Sequence, residues 1–385
     1  MIRDNAVLNA LVEQVSRFVH DRLVPLEAEV AETDRVPPEV VAEMRALGLF
    51  GLSIPEEFGG LGLTMEEEVE IALVLGRTSP AFRSVFGTNN GIGSQGLIMG
   101  GTPEQKRKYL ARMATGEIIG SFALTEPDAG SDAGSLRTSA RRGNGGWILN
   151  GTKRFITNAP QAGLLTVFAR TNPDIDGAGG VSAFLVERDA PGLRFGNPDR
   201  KMGQKGAQTC DVIMEDCQVP TDALLGGHEG QGFKTAMMVL DRGRLHISAV
   251  CVGAAERLID DALRYAIERK QFGQPIAEFQ LIQAMLADSQ TEMLAGRSMV
   301  RETARKKDDG GNVATDAACC KLFCSEMVGR VADRALQIHG GAGYMAEYAV
   351  ERFYRDVRLF RIYEGTSQIQ QLVIARNMIR DARSR

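Results

Sequence analysis

The sequence predicts an α+β multidomain chain with a helical N-terminal domain (1–120), a middle β-barrel or sheet domain (121–230) and a helical C-terminal bundle (231–385). Two observations carry this. Hydrophobic periodicity near 3.6 dominates both ends, whereas short β-branched and aromatic runs separated by Gly, Asn, Asp and Pro fill the middle. The size agrees: 385 residues, at roughly 100–200 per domain, suggest two or three domains.

The first zone reads as helices punctuated by Pro25, Pro37, Pro38, Pro55 and Gly59-Gly60. Its run MEEEVEIALVLGR predicts a solvated acidic first turn leading into a buried helix, because carboxylates suit a helix N-terminus. The middle zone offers the strand-like runs WILNG, LLTVFAR, VSAFLVER and CDVIMEDCQV. In the last zone Leu245, Ala249, Val252, Ala255, Ile259, Leu263 and Ile267 recur every three or four residues. So do Ala318, Leu322, Ser325, Val328, Ala332 and Ala335. With KKDDGGN as the connection between two long helices, these stripes predict an antiparallel bundle.

Composition excludes several function classes. The net charge is −4, and a nucleic-acid footprint needs clustered basic charge. No apolar run approaches the ~18 residues of a spanning helix. The start, MIRDNAVLNALVEQVSRF, has neither a signal-peptide core nor the acid-poor character of a transit peptide. The expectation is a soluble, cytoplasmic protein. The six cysteines form no C-x-x-C pair, and Cys319, Cys320 and Cys324 read as small core side chains. Histidines 20, 228, 246 and 339 are scattered, so no metal site is expected. Gly91, Gly93 and Gly96 spell G-x-G-x-x-G, but the element before them is helical and no β-α-β alternation follows. They predict a turn between helices rather than a dinucleotide site.

Four motifs carry the chemistry. They are TEPDAGSD at 125–132, ERKQFG at 268–273, QIHGGAGY at 337–344 and IYEGTSQIQ at 362–370. Together and in this order, the chain resembles the acyl-CoA dehydrogenase family over nearly its whole length. The resemblance implies that family's fold: a helical N-domain, a middle β domain and a four-helix C-terminal bundle. It also implies an FAD-dependent α,β-dehydrogenation of a fatty acyl-CoA to the trans-2-enoyl-CoA, with electrons passing to an electron-transfer flavoprotein. A homotetramer that shares FAD between subunits is implied in the same way.

Residue roles follow by resemblance. Phe122, Leu124 and Thr125 match the segment that meets the flavin ring, where hydrogen-bond donors stabilise developing charge. Phe155 and Thr157 match positions over the ring and near N5; many relatives carry Trp where this chain has Phe155. Arg269, Phe272 and Gln280 match the grip on pyrophosphate and adenosine, which relatives supply from a neighbouring subunit. Gln337, Gly340 and Gly341 match a nucleotide-contact loop, and Thr366 and Gln368 the last FAD contacts. Ser131, Phe233, Asp241 and Arg244 match the path of the CoA arm, with a helical Asp241–Arg244 ion pair as the competing role.

Glu364 matches the catalytic base, flanked by Tyr363 and Gly365 on the substrate side. A thioester α-hydrogen is a weak carbon acid, so its removal needs a placed, desolvated base. In relatives the backbone N–H of this glutamate helps polarise the thioester carbonyl, and Gly365 leaves room for that approach. Some relatives carry the base on an earlier helix instead, at the position of Gly243. A pocket floor is expected from the stretch between Phe82 and Gly101, whose glycines either open a deep pocket or allow close helix packing. Two other readings remain. One keeps the fold but changes the reaction, as in acyl-CoA oxidases, flavin monooxygenases or a desulfinase. The other is a non-catalytic acyl-CoA- or DNA-binding relative, which the acidic net charge and lack of a basic extension disfavour.

Overall fold

A computed structural model describes residues 1–384. The N-terminal third is helical. Helices α1 (Asn5–Phe18) and α2 (Val24–Thr33) run on through a π turn at Val19–Leu23. Pro25 enters at the first turn of α2, where a missing N–H is tolerated, so it does not end the rod. Then come α3 (Pro38–Ala46), α4 (Met65–Leu75), α5 (Pro80–Asn90), α6 (Gln95–Gly100) and α7 (Pro103–Ala114). Thr64 and Glu67 close a capping box on α4.

The acidic start of α4 departs from expectation. Glu67 and Glu68 are buried rather than solvated. Arg3 binds Glu67, and Arg242 and His246 bind Glu68. These partners lie far away in sequence, so local patterning could not reveal them.

A seven-stranded sheet occupies the middle. Its strands are β1 (Gly120–Ala123), β2 (Ser139–Gly143), β3 (Gly146–Thr157), β4 (Leu164–Arg170), β5 (Val181–Glu187), β6 (Leu193–Phe195) and β7 (Thr209–Pro220). The order is β1-β4-β2-β3-β7-β6, with β5 also on β4. Strand β1 pairs parallel to β4 in the register Phe122↔Thr166, whereas β3 pairs antiparallel to β7. Between Lys153 and Ile156 the register of β3 slips against β7. The extra residue makes a bulge, and Phe155 takes φ 59° there.

The last third is built on α8 (Gly232–Glu268), α9 (Gln280–Asp308) and α10 (Ala314–His339). Helix α11 (Ala349–Val357) and helix α12 (Ser367–Arg383) follow, and α12 packs on α10. A small hairpin, β8 (Lys270–Gln271) and β9 (Gln274–Pro275), joins α8 to α9. The core stripe of α8 is buried from Leu245 to Ile259, and α4 of the first domain packs against it. Leu263 and Ile267 continue the stripe in sequence but are exposed. Gly91 and Gly93 lie in the turn between α5 and α6, as expected, whereas Gly96 falls inside α6. Among the described residues no helix is long and apolar enough to cross a membrane, and no His, Cys, Asp and Glu side chains cluster to hold a metal.

Candidate active site

A cavity of about 870 Å³ opens where the helical first domain, the sheet and the C-terminal helices meet. One wall comes from the sheet. Phe122 is on β1, Leu124 and Thr125 follow it, and Phe155 and Thr157 sit at and after the bulge of β3. The N–H of Arg154 donates to the Thr125 carbonyl at 2.8 Å, which ties these two segments together. Beneath them Lys153 Nζ reaches Glu126 at 2.7 Å, and both side chains are buried. Glu126 also accepts from the N–H groups of Arg137 at 2.6 Å and Thr138 at 2.9 Å. A buried ion pair is sustained when hydrogen bonds satisfy its remaining lone pairs, as these do.

Phe155 is the unusual member of this wall. The residue is 59% exposed, and its backbone lies in the left-handed region that bulky residues avoid. The bulge turns an apolar side chain into the cavity. Ser131 and Phe233 also line the cavity.

Glu364, Tyr363 and Gly365 line the cavity from the C-terminal domain. Their loop is tightly specified. Glu364 has φ 54° and Gly365 φ 88°. Gln370 Nε2 donates to the carbonyls of both, at 3.1 and 3.0 Å. Lys321 Nζ, fully buried on α10, donates to the Gly365 carbonyl at 2.6 Å. Oε2 of Glu364 has no hydrogen-bond partner in the fold. Burial therefore pushes the carboxyl above its ordinary pKa, while Arg83, Lys321 and Arg244 oppose that rise.

Gly243 lies directly behind this carboxylate. A Cβ there would stand 2.3 Å from Glu364 Oε2. The two positions singled out in the sequence for a base thus face each other across one small space. Arg244, the next residue on α8, lines the cavity and bonds Asp241 at 2.5 Å. The helical ion pair considered for Asp241 is present, and Asp241 does not line the cavity.

Other sequence candidates lie apart from the cavity. Thr366 caps α12 through its hydroxyl, which accepts from the Ile369 N–H at 3.2 Å. Gln368 is exposed. Arg269, Gln280, Gln337, Gly340 and Gly341 are exposed in this single chain, and none lines the cavity. Phe272 is 94% exposed at the tip of the β8–β9 hairpin, with φ 51° followed by Gly273 at 83°. Two successive positive φ values fit a type I′ hairpin turn, and the ring is held out into solvent.

The structure adds residues that motif reading passed over. Arg83 on α5 lines the cavity, and its Nε donates to His246 Nε2 at 3.0 Å. His246 Nδ1 then donates to Glu68 Oε1 at 2.8 Å. Lys321 was missed as well. Both carried a signal: Arg83 is the single charge in the run from Pro80 to Gly101, and Lys321 falls three residues after Ala318 and four before Ser325, on an apolar face. Of the glycines in that run, Gly87 and Gly91 line the cavity, whereas a Cβ on Gly93 would meet the Thr88 carbonyl at 2.8 Å. Pocket and close packing are both served.

Comparison with known proteins agrees with this architecture along the chain. Models of the acyl-CoA dehydrogenase N-terminal, middle and C-terminal domains match residues 6–117, 121–217 and 230–379. A 3-(aryl)acrylate reductase of Clostridium sporogenes is 41% identical over 96% of this chain and 98% of its own length. The caffeyl-CoA reductase-Etf complex subunit CarC of Acetobacterium woodii is 40% identical over 95% of this chain and 97% of its own. The butyryl-CoA dehydrogenase structure from Megasphaera elsdenii superposes with a TM-score of 0.94 at 34% identity, covering 98% of this chain and 100% of that one.

Proposed function

Given that this chain belongs to the acyl-CoA dehydrogenase family of FAD oxidoreductases, we propose that it dehydrogenates an acyl-CoA between Cα and Cβ, with Glu364 as the base. The observation that carries this is the Glu364 carboxylate. It is desolvated and unpartnered at Oε2, and it lines the same cavity as the exposed Phe155.

The residues fit an isoalloxazine between these walls. Phe155 would stack on it, with Phe122, Leu124, Thr125 and Thr157 at its edge. FAD bound there supplies the hydride acceptor. Glu364 takes the α-proton while the β-hydrogen leaves as hydride, so that one C=C bond forms. The Glu364 N–H donates to no backbone carbonyl of the fold among the described residues, which leaves it free to polarise the thioester carbonyl. A donor of this kind is worth roughly 3–4 kcal/mol in other enzymes. Ser131, Phe233 and Arg244 line the path proposed for the CoA arm.

The exposed Arg269, Phe272, Gln280, Gln337, Gly340 and Gly341 would meet the nucleotide half of an FAD bound mainly to a second copy, within a tetramer. Thr366 and Gln368 would close on the cofactor from the start of α12. An electron-transfer flavoprotein is the proposed redox partner, because one relative is named as a subunit of an Etf complex. Three relatives are named as reductases, and the same groups would run the reaction backwards when Glu364 returns its proton and the reduced cofactor its hydride.

Anaerobic bleaching of the bound flavin by saturated acyl-CoAs, from butyryl to palmitoyl with isobutyryl and isovaleryl, tests the reading. Loss of the yellow absorbance with one class supports it. A yellow protein that no thioester bleaches, and that no enoyl thioester reoxidises after reduction, rules it out.

A further inference from the structure

A second cleft, of about 600 Å³, lies between α10, α11 and the segment that joins β6 to β7. It shares no lining residue with the catalytic cavity, and dehydrogenation as proposed uses none of its residues. Four arginines line it: Arg330 and Arg334 on α10, and Arg358 and Arg361 in the turn after α11. Asp333 is the one carboxylate of the lining.

The fold leaves these guanidiniums incompletely paired. Arg330 and Arg334 share Glu292: Arg330 Nε donates to Oε2 at 3.0 Å and Arg334 Nη2 to Oε1 at 3.2 Å. Asp288 stands 4.0 Å from Arg334 Nη2. Arg361 Nη1 donates to Glu326 Oε2 at 3.2 Å, and Glu326 also accepts from the Ser367 hydroxyl at 2.5 Å. Arg334 Nη1 and Arg361 Nε are buried and have no hydrogen-bond partner in the fold. Arg358 is exposed and pairs with no carboxylate among the described residues. Glu292, Asp288 and Glu326 do not line the cleft, so four guanidiniums face one carboxylate inside it. Buried donors without acceptors are rare and costly, and a ligand that supplies acceptors removes the cost.

The rest of the lining is Met202, Gly329, Tyr354 and Val357. Tyr354 is 41% and Met202 58% exposed, so a flat group has an aromatic ring and a thioether to lie against. At Gly329 the Arg361 guanidinium rests on α10, where an added Cβ would stand 3.4 Å from Cζ.

We propose that this cleft binds a phosphate-bearing ligand of nucleotide type, with its phosphates on Arg334, Arg358 and Arg361 and its base against Tyr354 and Met202. Guanidinium forks match phosphate oxygens in pairs. The cleft is much larger than one phosphate ion, which favours a ligand with a second, flat part. Its position backs on to the catalytic cavity. Met202 lines the cleft, whereas Lys201 and Gln204 of the same segment line the cavity. Arg358 and Arg361 line the cleft, whereas Leu359 between them lines the cavity. Arg355 Nη1 ties the two segments by donating to the Met202 carbonyl at 3.0 Å. A ligand seated here touches both.

The test is calorimetry of the flavin-loaded protein with ADP, pyrophosphate, inorganic phosphate and adenosine, at low and high salt. ADP should bind most tightly, pyrophosphate at least tenfold more weakly, and adenosine not measurably. The ADP affinity should fall as salt rises. Arg358→Met should weaken ADP at least tenfold, and Arg358→Glu should abolish its binding. Because Arg358 pairs with no carboxylate in the fold, both variants should keep the wild-type melting midpoint and flavin spectrum. Arg244→Met, a change on the path proposed for the CoA arm, should leave ADP binding unchanged. Loss of ADP binding in Arg244→Met but not in Arg358→Glu would put the nucleotide in the catalytic cavity and overturn the proposal, as would failure of both ADP and pyrophosphate to bind. Pyrophosphate or inorganic phosphate binding as tightly as ADP would overturn the nucleotide assignment.

Discussion

Replacing Gly243 by alanine separates catalysis from stability, because the two should move in opposite directions. Gly243 lies inside α8, where alanine gains about 1 kcal/mol of helix propensity over glycine. The new Cβ would stand 2.3 Å from Glu364 Oε2, 3.1 Å from Cδ and 3.3 Å from Oε1, whereas ordinary contact begins at 3.4 Å. The carboxylate must therefore retreat by about 1 Å. It is the far end of a flexible side chain, so the retreat costs the fold little. The reaction tolerates it poorly: about 1 Å of misplacement costs on the order of 10²-fold in rate, or roughly 2.7 kcal/mol of barrier. Gly243→Ala should keep its flavin, melt no lower than wild type, and lose about two orders of magnitude in flavin reduction under saturating acyl-CoA. Stopped-flow bleaching with a parallel thermal melt measures both. A variant that reduces its flavin within threefold of wild type would show that Glu364 does not work from the position seen here.

Glu364→Gln keeps the shape and removes the proton acceptor, so it should retain FAD and acyl-CoA binding while losing roughly 10²–10⁴-fold in flavin reduction; wild-type reduction would remove Glu364 from the mechanism. The pH profile follows from the burial of the same group. Its pKa is raised, so the ionised base is lost as pH falls through a value above the ordinary carboxylate range, and the acidic limb of kcat should lie correspondingly high. Lys321→Met removes a cation that favours ionised Glu364, so that limb should move further up in pH; an unmoved limb together with reduced activity would make Lys321 a purely structural clamp. Lys153→Met strands Glu126 in a buried site with only its backbone donors. The cost should be about 3 kcal/mol, the lower end for breaking a buried pair, seen as a lower melting midpoint and weaker flavin retention; an unchanged midpoint contradicts the assigned role of the pair.

The three-zone order was legible because periodicity changes twice along the chain, at the strand runs beginning near Gly120 and at the long helix that starts at Gly232. The Glu364 wall and its flavin-side counterpart were legible through short motifs whose members are neighbours in sequence. The charged residues around them were not. Glu68 looked like a solvated first-turn acid, and only the folding of α4 against α8 brings it to His246 and Arg242. Phe155 could be named from its motif, but its exposure depends on a register slip between β3 and β7 that neither strand shows alone. Leu263 and Ile267 extend an apolar stripe beyond the helices that cover it, because periodicity records a face and not the length of its partner.

The cations around Glu364 resolve a conflict built into any buried base. Desolvation makes a carboxylate more basic, but the same desolvation tends to protonate it before substrate arrives. Arg83, Lys321 and Arg244 approach it from three helices, α5, α10 and α8, and all three favour the ionised form. Lys321 is itself pushed down to about 8 by burial, so it carries its charge at neutral pH and already spends one hydrogen bond on Gly365. Arg244 is committed to Asp241. Arg83 and Lys321 both lack an anionic partner in the fold, among the described residues, and give their hydrogen bonds to the neutral acceptors His246 Nε2 and the Gly365 carbonyl.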